Sequence, residues 1–398
     1  MTRGAPGADR TLHVAVVGGG IGGLSTALAL RLRGVDVDVY EQAPALGEIG
    51  AGVFLTPNSL RQLHRLGVGE AVEQRGARIG PGSRYYRHDG APVAPIVTAD
   101  SAGWNAVFGM HRADLVTILS ERLPHDRLHT GHRAVGLEQD QHSARILFDN
   151  GAAADADVVI AADGIHSALQ QYVVEPSRPV HSGSVAYRGL VSRERVTSWP
   201  TDRSRLWMGQ GKHFLVYPVR RGELINYVGF VPSDEQMRES WSAPGDPATL
   251  AREFAGWDPR VEHLLAQVET TFRWGLYDRE PLRTWSRGRL TLLGDAAHPM
   301  LPHLGQGANQ SVEDAMALAA VLAQAGPGQA PEALARYEGL RRPRTARIQR
   351  GARDNGRRYD SAYDDLARRD AEIAASVRFR LWLYDYDVLS EIEQPATR

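Results

Sequence analysis

Two histidines, a tyrosine and an aspartate stand where this chain could do chemistry. His213 and Tyr217 lie four residues apart in the apolar run Lys212-His213-Phe214-Leu215-Val216-Tyr217. As strand residues at even spacing they share one sheet face. His303 follows Pro302 in a loop of small residues and prolines. A histidine titrates near neutrality and a tyrosine hydroxyl donates hydrogen bonds, so the set could take a proton from an acidic hydroxyl or hold its anion. Asp295 offers something else. It follows the buried-strand run Leu290–Leu293, and Gly307-Ala308-Asn309 then opens an apolar-periodic segment. Val312, Ala315, Met316, Ala319 and Leu322 keep helical spacing, which predicts a helix over Gly307–Ala323. A carboxylate accepts hydrogen bonds from hydroxyls, and a helix start carries free N–H groups and roughly half a positive charge. His298, beside Asp295 and Pro299, reads as structural. With no third acid or thiolate in a ligand pattern near His298 and His303, no metal is assigned.

The amino terminus indicates which ligand would need both an acid and a helix start. Leu12–Val17 is a β-rich apolar run, and Gly18-Gly19-Gly20-Ile21-Gly22-Gly23 follows it, matching G-x-G-x-x-G at Gly18, Gly20 and Gly23. Leu24–Arg33 is helix-forming, with Gly34 where a C-terminal cap belongs. Val35, Val37 and Val39 then alternate with Asp36 and Asp38 as a second strand, and Glu41 lies 21 residues beyond Gly20. In this order the glycines, Gly22 among them, permit a tight turn and bring a pyrophosphate onto the helix N-terminus. Glu41 suits a ribose diol. A dinucleotide site is expected here.

The elements that must position these residues need more than one core. A length of 398 residues suggests two domains. A hydrophobic content of 42% and a net charge of -1 describe a soluble globular protein, with no field to recruit nucleic acid or an anionic membrane. Residues 1–10 are polar and lack the apolar core of a signal peptide, and five glycines break the Leu12–Leu32 region, so no membrane span is expected. The absence of cysteine excludes a disulfide framework, a thiolate-bound metal and a redox dithiol. A cytoplasmic enzyme is expected. Of 46 basic residues only Lys212 is a lysine. The arginine run Arg341–Arg358 contains Asp354 and no interleaved aromatics, and so reads as a solvated helix face and not a nucleic-acid patch. Asn58–Leu66 reads as a short helix, residues 83–97 as a hairpin around Asp89-Gly90, and Asp157–Ile160 as a buried strand. From about Pro179 to Thr284 short β-rich segments predominate: Ser184–Val191, Arg205–Met208, Phe214–Val219 and Leu224–Phe230, with a helical stretch near Pro247–Leu265. They suggest a mostly antiparallel sheet.

The first 50 residues, with His111-Arg112-Ala113-Asp114-Leu115, Ala162-Asp163-Gly164-Ile165-His166-Ser167 and Gly294-Asp295-Ala296-Ala297-His298-Pro299, resemble the single-component FAD-dependent aromatic hydroxylases. The glycine fingerprint, the DG motif and the GD motif occur in that family's order over nearly the whole chain. Met300-Leu301-Pro302-His303 and the tail Trp382–Asp387 look most like the salicylate, 6-hydroxynicotinate and 3-hydroxybenzoate hydroxylases. The resemblance implies an α/β fold: a Rossmann-like FAD-binding domain, an inserted mostly antiparallel β-sheet substrate domain, and a C-terminal helical segment. It places the FAD domain at 1–82, 105–178 and 285–345, substrate strands at 83–104 and 179–284, and C-terminal helices at 346–398. It implies bound FAD, transient NADH or NADPH, O2 as co-substrate, and a small aromatic substrate on a monomer or homodimer. Arg112, Asp163, Asp295, Gly307 and Asn309 would contact the flavin, and the backbone at Val135 would approach the adenine. The loop Gly47–Val53 could face the flavin ring or simply turn the chain. One departure stands out: Gln170 occupies the position three after Ser167 where the family commonly has arginine.

In such enzymes hydride reduces FAD, O2 adds at C4a, and an electron-rich arene attacks the distal oxygen of the hydroperoxide. The N-terminus of the 307–323 helix would stabilise the reduced flavin anion. A phenol of pKa near 10 needs about 4 kcal/mol to ionise at pH 7, from roughly three units at 1.36 kcal/mol each. His303 or His213 would supply the base or oxyanion partner, and Tyr217 a donor to a carboxylate or hydroxyl. The expected activity is hydroxylation of salicylate or a related hydroxybenzoate. The same chemistry on a larger or carrier-linked phenol, or a flavin reductase or binding protein without oxygenation, are the alternatives.

Overall fold

The computed structural model describes residues 11–47, 52–175, 180–233, 243–360 and 363–393. Most of the glycine-rich loop that was expected to face a flavin or turn the chain therefore lies outside the described residues. Around the glycine turn, strand His13–Val17 pairs in parallel with Asp36–Tyr40 on one side and Val158–Ala161 on the other. Leu290–Leu292 adds to Val158–Ala161, so a six-stranded sheet brings the ends of the first strand and of the strand before Asp295 to the same edge. The β-branched and apolar runs of these strands are buried on both faces, as a covered parallel sheet requires. Helices Ile21–Arg31 and Gly307–Leu322 pack against each other over this sheet.

The second large sheet has eight strands. Its order is Ala243–Gly245, Thr271–Asp278, Val180–Ser192, Leu224–Pro232, Lys212–Val219, Arg205–Gly209, Arg84–Arg87 and Pro92–Pro95. All neighbours are antiparallel except Arg205–Gly209 with Arg84–Arg87. The hairpin around Asp89-Gly90 forms and extends this sheet. The helical stretch after Pro247 is two short helices, Pro247–Glu253 and Pro259–Leu265, capped by Asp246 and Asp258.

The C-terminal region departs from expectation in two respects. Helix Ala330–Tyr359 runs through Pro343 and through the expected boundary at residue 345. Proline leaves only the carbonyl of Gly339 without its i+4 donor, and Gly339 is exposed to water. Nor is the arginine run a solvated face throughout. Arg341 is 0% exposed and Arg344 7%, because the acids that neutralise them, Glu313 and Asp314, sit in the buried helix Gly307–Leu322.

Candidate active site

The glycine turn has the geometry of a ligand cradle. Gly18 has φ of +112°, and a Cβ there would lie 2.3 Å from the carbonyl oxygen of Ala162. A Cβ on Gly23 would lie 1.9 Å from the oxygen of Gly18, so helix and turn can meet only as glycines. Gly20, at the helix N-cap, faces open space and has no side-chain cap. Gly22 packs against Leu293 and Ser311. Glu41 accepts hydrogen bonds from the backbone of Gly19 at 2.6 Å and Ala43 at 2.8 Å. Each oxygen keeps a free lone pair, which a diol can use.

Three charged groups mark the other end of the groove. The Oδ1 of Asp163 is buried and has no hydrogen-bond partner, while Oδ2 accepts from the backbone of Ala168 at 2.9 Å. Burial pushes the carboxyl of Asp163 up. Burial likewise raises Asp295, opposed by the charges of His298 and Arg112. Arg112 opens helix Arg112–Ser120, and Asp295 lies beside Gly307 at the start of the Gly307–Leu322 helix. A buried carboxylate with one unpartnered oxygen and uncapped helix starts fit the diphosphate, ribityl hydroxyls and ring edge of a flavin.

Asn309 stands in the first turn of the Gly307–Leu322 helix. Its side chain is 0% exposed and spent within the protein. Oδ1 accepts from the backbone and hydroxyl of Thr56 and from Ser59, and Nδ2 donates to the carbonyls of Phe54 and Gly305. It clamps the loops on either side of the helix start, which leaves only its backbone N–H for a ligand. Val135 is in strand Ala134–Gln139 with its side chain turned to solvent, so any contact there is through backbone. His298 is buried, with Nε2 2.5 Å from Asp314 Oδ2.

Arg112, Asp295 and Gly307 also line a cavity of about 200 Å³, whose far wall includes Phe54, Arg188, Tyr217, Asn226 and Trp274. It adjoins an inner chamber of about 60 Å³ that holds His213 and His303, with Phe54, Leu215, Phe230, Pro302 and Gly305 common to both. The sheet register accounts for this grouping. Tyr217 pairs with Asn226, Leu215 with Val228 and His213 with Phe230, while Arg188 pairs with Val228 from the next strand. All point to one face, so the expected His213–Tyr217 pairing is realised and His303 joins it from the loop. The ring of His303 lies 5.1 Å from that of His213, centroid to centroid.

Two members of this face were not singled out from sequence. Arg188 is 4% exposed, a cation in an apolar wall beside Trp274. Asn226 is 1% exposed; its Oδ1 accepts from Gly52 at 2.8 Å, and its Nδ2 is buried with no hydrogen-bond partner. Burial pushes the phenol of Tyr217 up, and the charge of Arg188 opposes that shift. Tyr217 therefore acts as a donor at neutral pH. The wall offers one buried cation and two neutral donors, a set that suits an anion.

His303 is held neutral. Burial, then the neighbouring His213, pushes it well below the ordinary 6.5, and its Nδ1 is buried without a partner. Because the unfolded chain binds this proton more readily, His303 supports the fold fully above about pH 6.5, and that support fades as pH falls towards the folded-state value. Urea midpoints should therefore fall more steeply between pH 6.5 and 5 for the wild type than for His303→Gln, by up to about 1.4 kcal/mol per pH unit. Parallel curves would contradict this.

Residues 11–352 match a family described as FAD binding domain. The 3-amino-4-hydroxybenzoate 2-monooxygenase of Streptomyces platensis is 38% identical over 385 residues, covering 94% of this chain and 96% of that protein. A salicylate hydroxylase of Pseudomonas putida is 34% identical over 424 residues, 97% of this chain and 95% of that one. Among solved structures, a salicylate hydroxylase substrate complex superposes with a TM-score of 0.84 at 30% identity, covering 98% of this chain and 99% of that chain.

Proposed function

The chain belongs to the FAD binding domain family and is an FAD-dependent aromatic monooxygenase; from there we propose that it hydroxylates a small phenolic carboxylate, salicylate or a related hydroxybenzoate, using NADH or NADPH and O2. The observation that carries this reading is the buried Nδ2 of Asn226, which has no hydrogen-bond partner. With the Tyr217 hydroxyl and the Arg188 guanidinium on the same cavity wall, it suits a carboxylate on the substrate. The histidines of the adjoining inner chamber call for an acidic hydroxyl on the same ring. Along the strand the Cα atoms of Tyr217 and His213 are separated by four residues, about 13 Å. The similar proteins named above act on rings that carry both groups, a carboxylate and a phenol.

Bound FAD supplies the electron and oxygen transfer; the chain's own residues do the rest. Gly18, Gly20, Gly22 and Gly23 would hold its diphosphate, Glu41 a ribose, and Asp163, Asp295, Arg112 and the 307–322 helix start the ribityl and ring side. Arg188, Tyr217 and Asn226 orient the carboxylate. His213 takes the phenol proton, and neutral His303 offers an N–H to the resulting oxyanion. Phe54, Leu215, Val228, Phe230 and Trp274 exclude water, which strengthens both charge interactions.

Turnover of His213→Ala and His303→Ala at saturating NADH or NADPH tests the histidine roles. We expect kcat for hydroxylation to fall by about 100-fold for His213→Ala, the lower end of a general base's contribution, and by less for His303→Ala. Wild-type rates in both would remove them from the mechanism.

A further inference from the structure

A base buried with its substrate must pass its proton onward, and the inner chamber is closed by aromatic rings. His213 is 1% exposed and stacks on Phe230 at 4.0 Å between centroids. Its Nδ1 is 2.5 Å from Oδ1 of Asp360, whose side chain is 25% exposed. Asp360 caps the end of helix Ala330–Tyr359, and its carbonyl accepts from Gly211 at 2.7 Å, which pins that helix end beside the strand carrying His213. The carboxylate opens on a surface groove. The other ionisable groups here are accounted for. Arg353 is taken by Asp278 and Glu280, and Arg357 lies 3.7 Å from Asp354. His181 also lines the groove. His303 and Tyr359 face His213 from the loop and the helix. Burial disfavours charge on both, downward for His303 and upward for Tyr359, so neither competes for the proton.

We propose that Asp360 is a positioning residue and proton outlet, through which a proton leaves the inner cavity by way of His213 and later returns. Nδ1 is committed to the carboxylate, which fixes the Nδ1–H tautomer and leaves Nε2 as the acceptor. As substrate ionises, the phenol O–H bond breaks and its proton bonds to Nε2. The Asp360 carboxylate stabilises the imidazolium so formed, which favours ionisation of the bound phenol, and the Nδ1 proton then exchanges through Asp360 with water. On product release the path runs backwards, protonating the product and restoring the tautomer. This inference rests on the hydroxybenzoate reading above.

The test uses oxidised holoprotein without NADH or NADPH and the ultraviolet phenolate band of 2-, 3- and 4-hydroxybenzoate, titrated against pH. With Asp360→Asn the pH midpoint for ionisation of the bound phenol should rise by at least one unit, a tenfold change, with binding of the ring itself retained. Turnover at pH 7 should fall about tenfold and recover at high pH, and Asp360→Glu should restore the wild-type profile. An unchanged midpoint in Asp360→Asn overturns the outlet and leaves the hydroxybenzoate reading standing. If none of the three compounds perturbs the wild-type spectrum, the hydroxybenzoate reading fails and the outlet with it. Should Asp360→Asn not fold, His213→Gln decides: it keeps a donor for Asp360 but removes the acceptor, so a wild-type midpoint there also overturns the proposal.

Discussion

Arg341→Met is expected to destabilise the protein by about 3–5 kcal/mol, the usual consequence of leaving buried charges without their partner. Arg341 joins the 330–359 helix to the Gly307–Leu322 helix. Its NH1 lies 2.7 Å from Glu313 Oε2, its Nε 2.7 Å from Asp314 Oδ1, and its NH2 donates to Gln310 Oε1 at 2.7 Å. All three charged side chains are 0% exposed. Burial alone would raise both acids; Arg344 and Arg341 hold Glu313 low, and His298 and Arg341 do so for Asp314. These acids therefore stabilise the fold above their ordinary values of 4.5 and 3.8, and that contribution is lost as pH falls through their lower folded-state values. Asn58 Nδ2 donates to Glu313 at 2.6 Å and Gln306 Nε2 to Thr56 Oγ1 at 3.0 Å, so the same network fixes the residues around the start of the Gly307–Leu322 helix. Flavin retention should decline with stability. Adding Asp314→Asn to Arg341→Met should recover part of the loss, because it removes the stranded charge. An unchanged urea midpoint in the single variant would mean the network contributes nothing net.

Arg188→Met should raise KM for a hydroxybenzoate by about 30- to 5,000-fold, corresponding to the 2–5 kcal/mol lost when one partner of a buried charge pair is truncated. Methionine keeps most of the volume, so the apolar wall persists. Flavin binding should be unaffected, since the cradle at Gly18–Gly23 belongs to the other sheet. The sharper readout is discrimination. The wild type should prefer the hydroxybenzoate to the phenol lacking a carboxylate, and Arg188→Met should lose that preference. A variant with unchanged KM and unchanged preference would place the carboxylate elsewhere.

The parts of the site that were legible in the sequence are those set by local rules. The glycine turn is readable because positive φ at Gly18 and the contact between Gly18 and Gly23 are short-range constraints that only glycine meets. Asp295 and the 307–322 helix announce themselves by a strand end and an apolar period a few residues apart. His213 and Tyr217 share a face because strand side chains alternate. Arg188, Asn226 and Asp360 could not be read this way. Arg188 reaches the cavity through the register Arg188–Val228–Leu215 across three strands, and Asp360 through contact between a helix end and a strand 147 residues earlier. Arg341 shows the same limit from the other side. Within an arginine-rich run nothing local separates it from a solvated neighbour; its burial is decided by Glu313 and Asp314 on another helix.

We propose oxygen transfer to a hydroxybenzoate in the cavity between Arg188 and His213. Its most direct test is mass analysis of the aromatic product after the flavin-loaded protein is given NADH or NADPH, 18O2 and 2-, 3- or 4-hydroxybenzoate. A product carrying one 18O atom in a new ring hydroxyl is the expected result. Reduced nicotinamide consumed with only hydrogen peroxide formed, and every arene recovered unchanged, would contradict it.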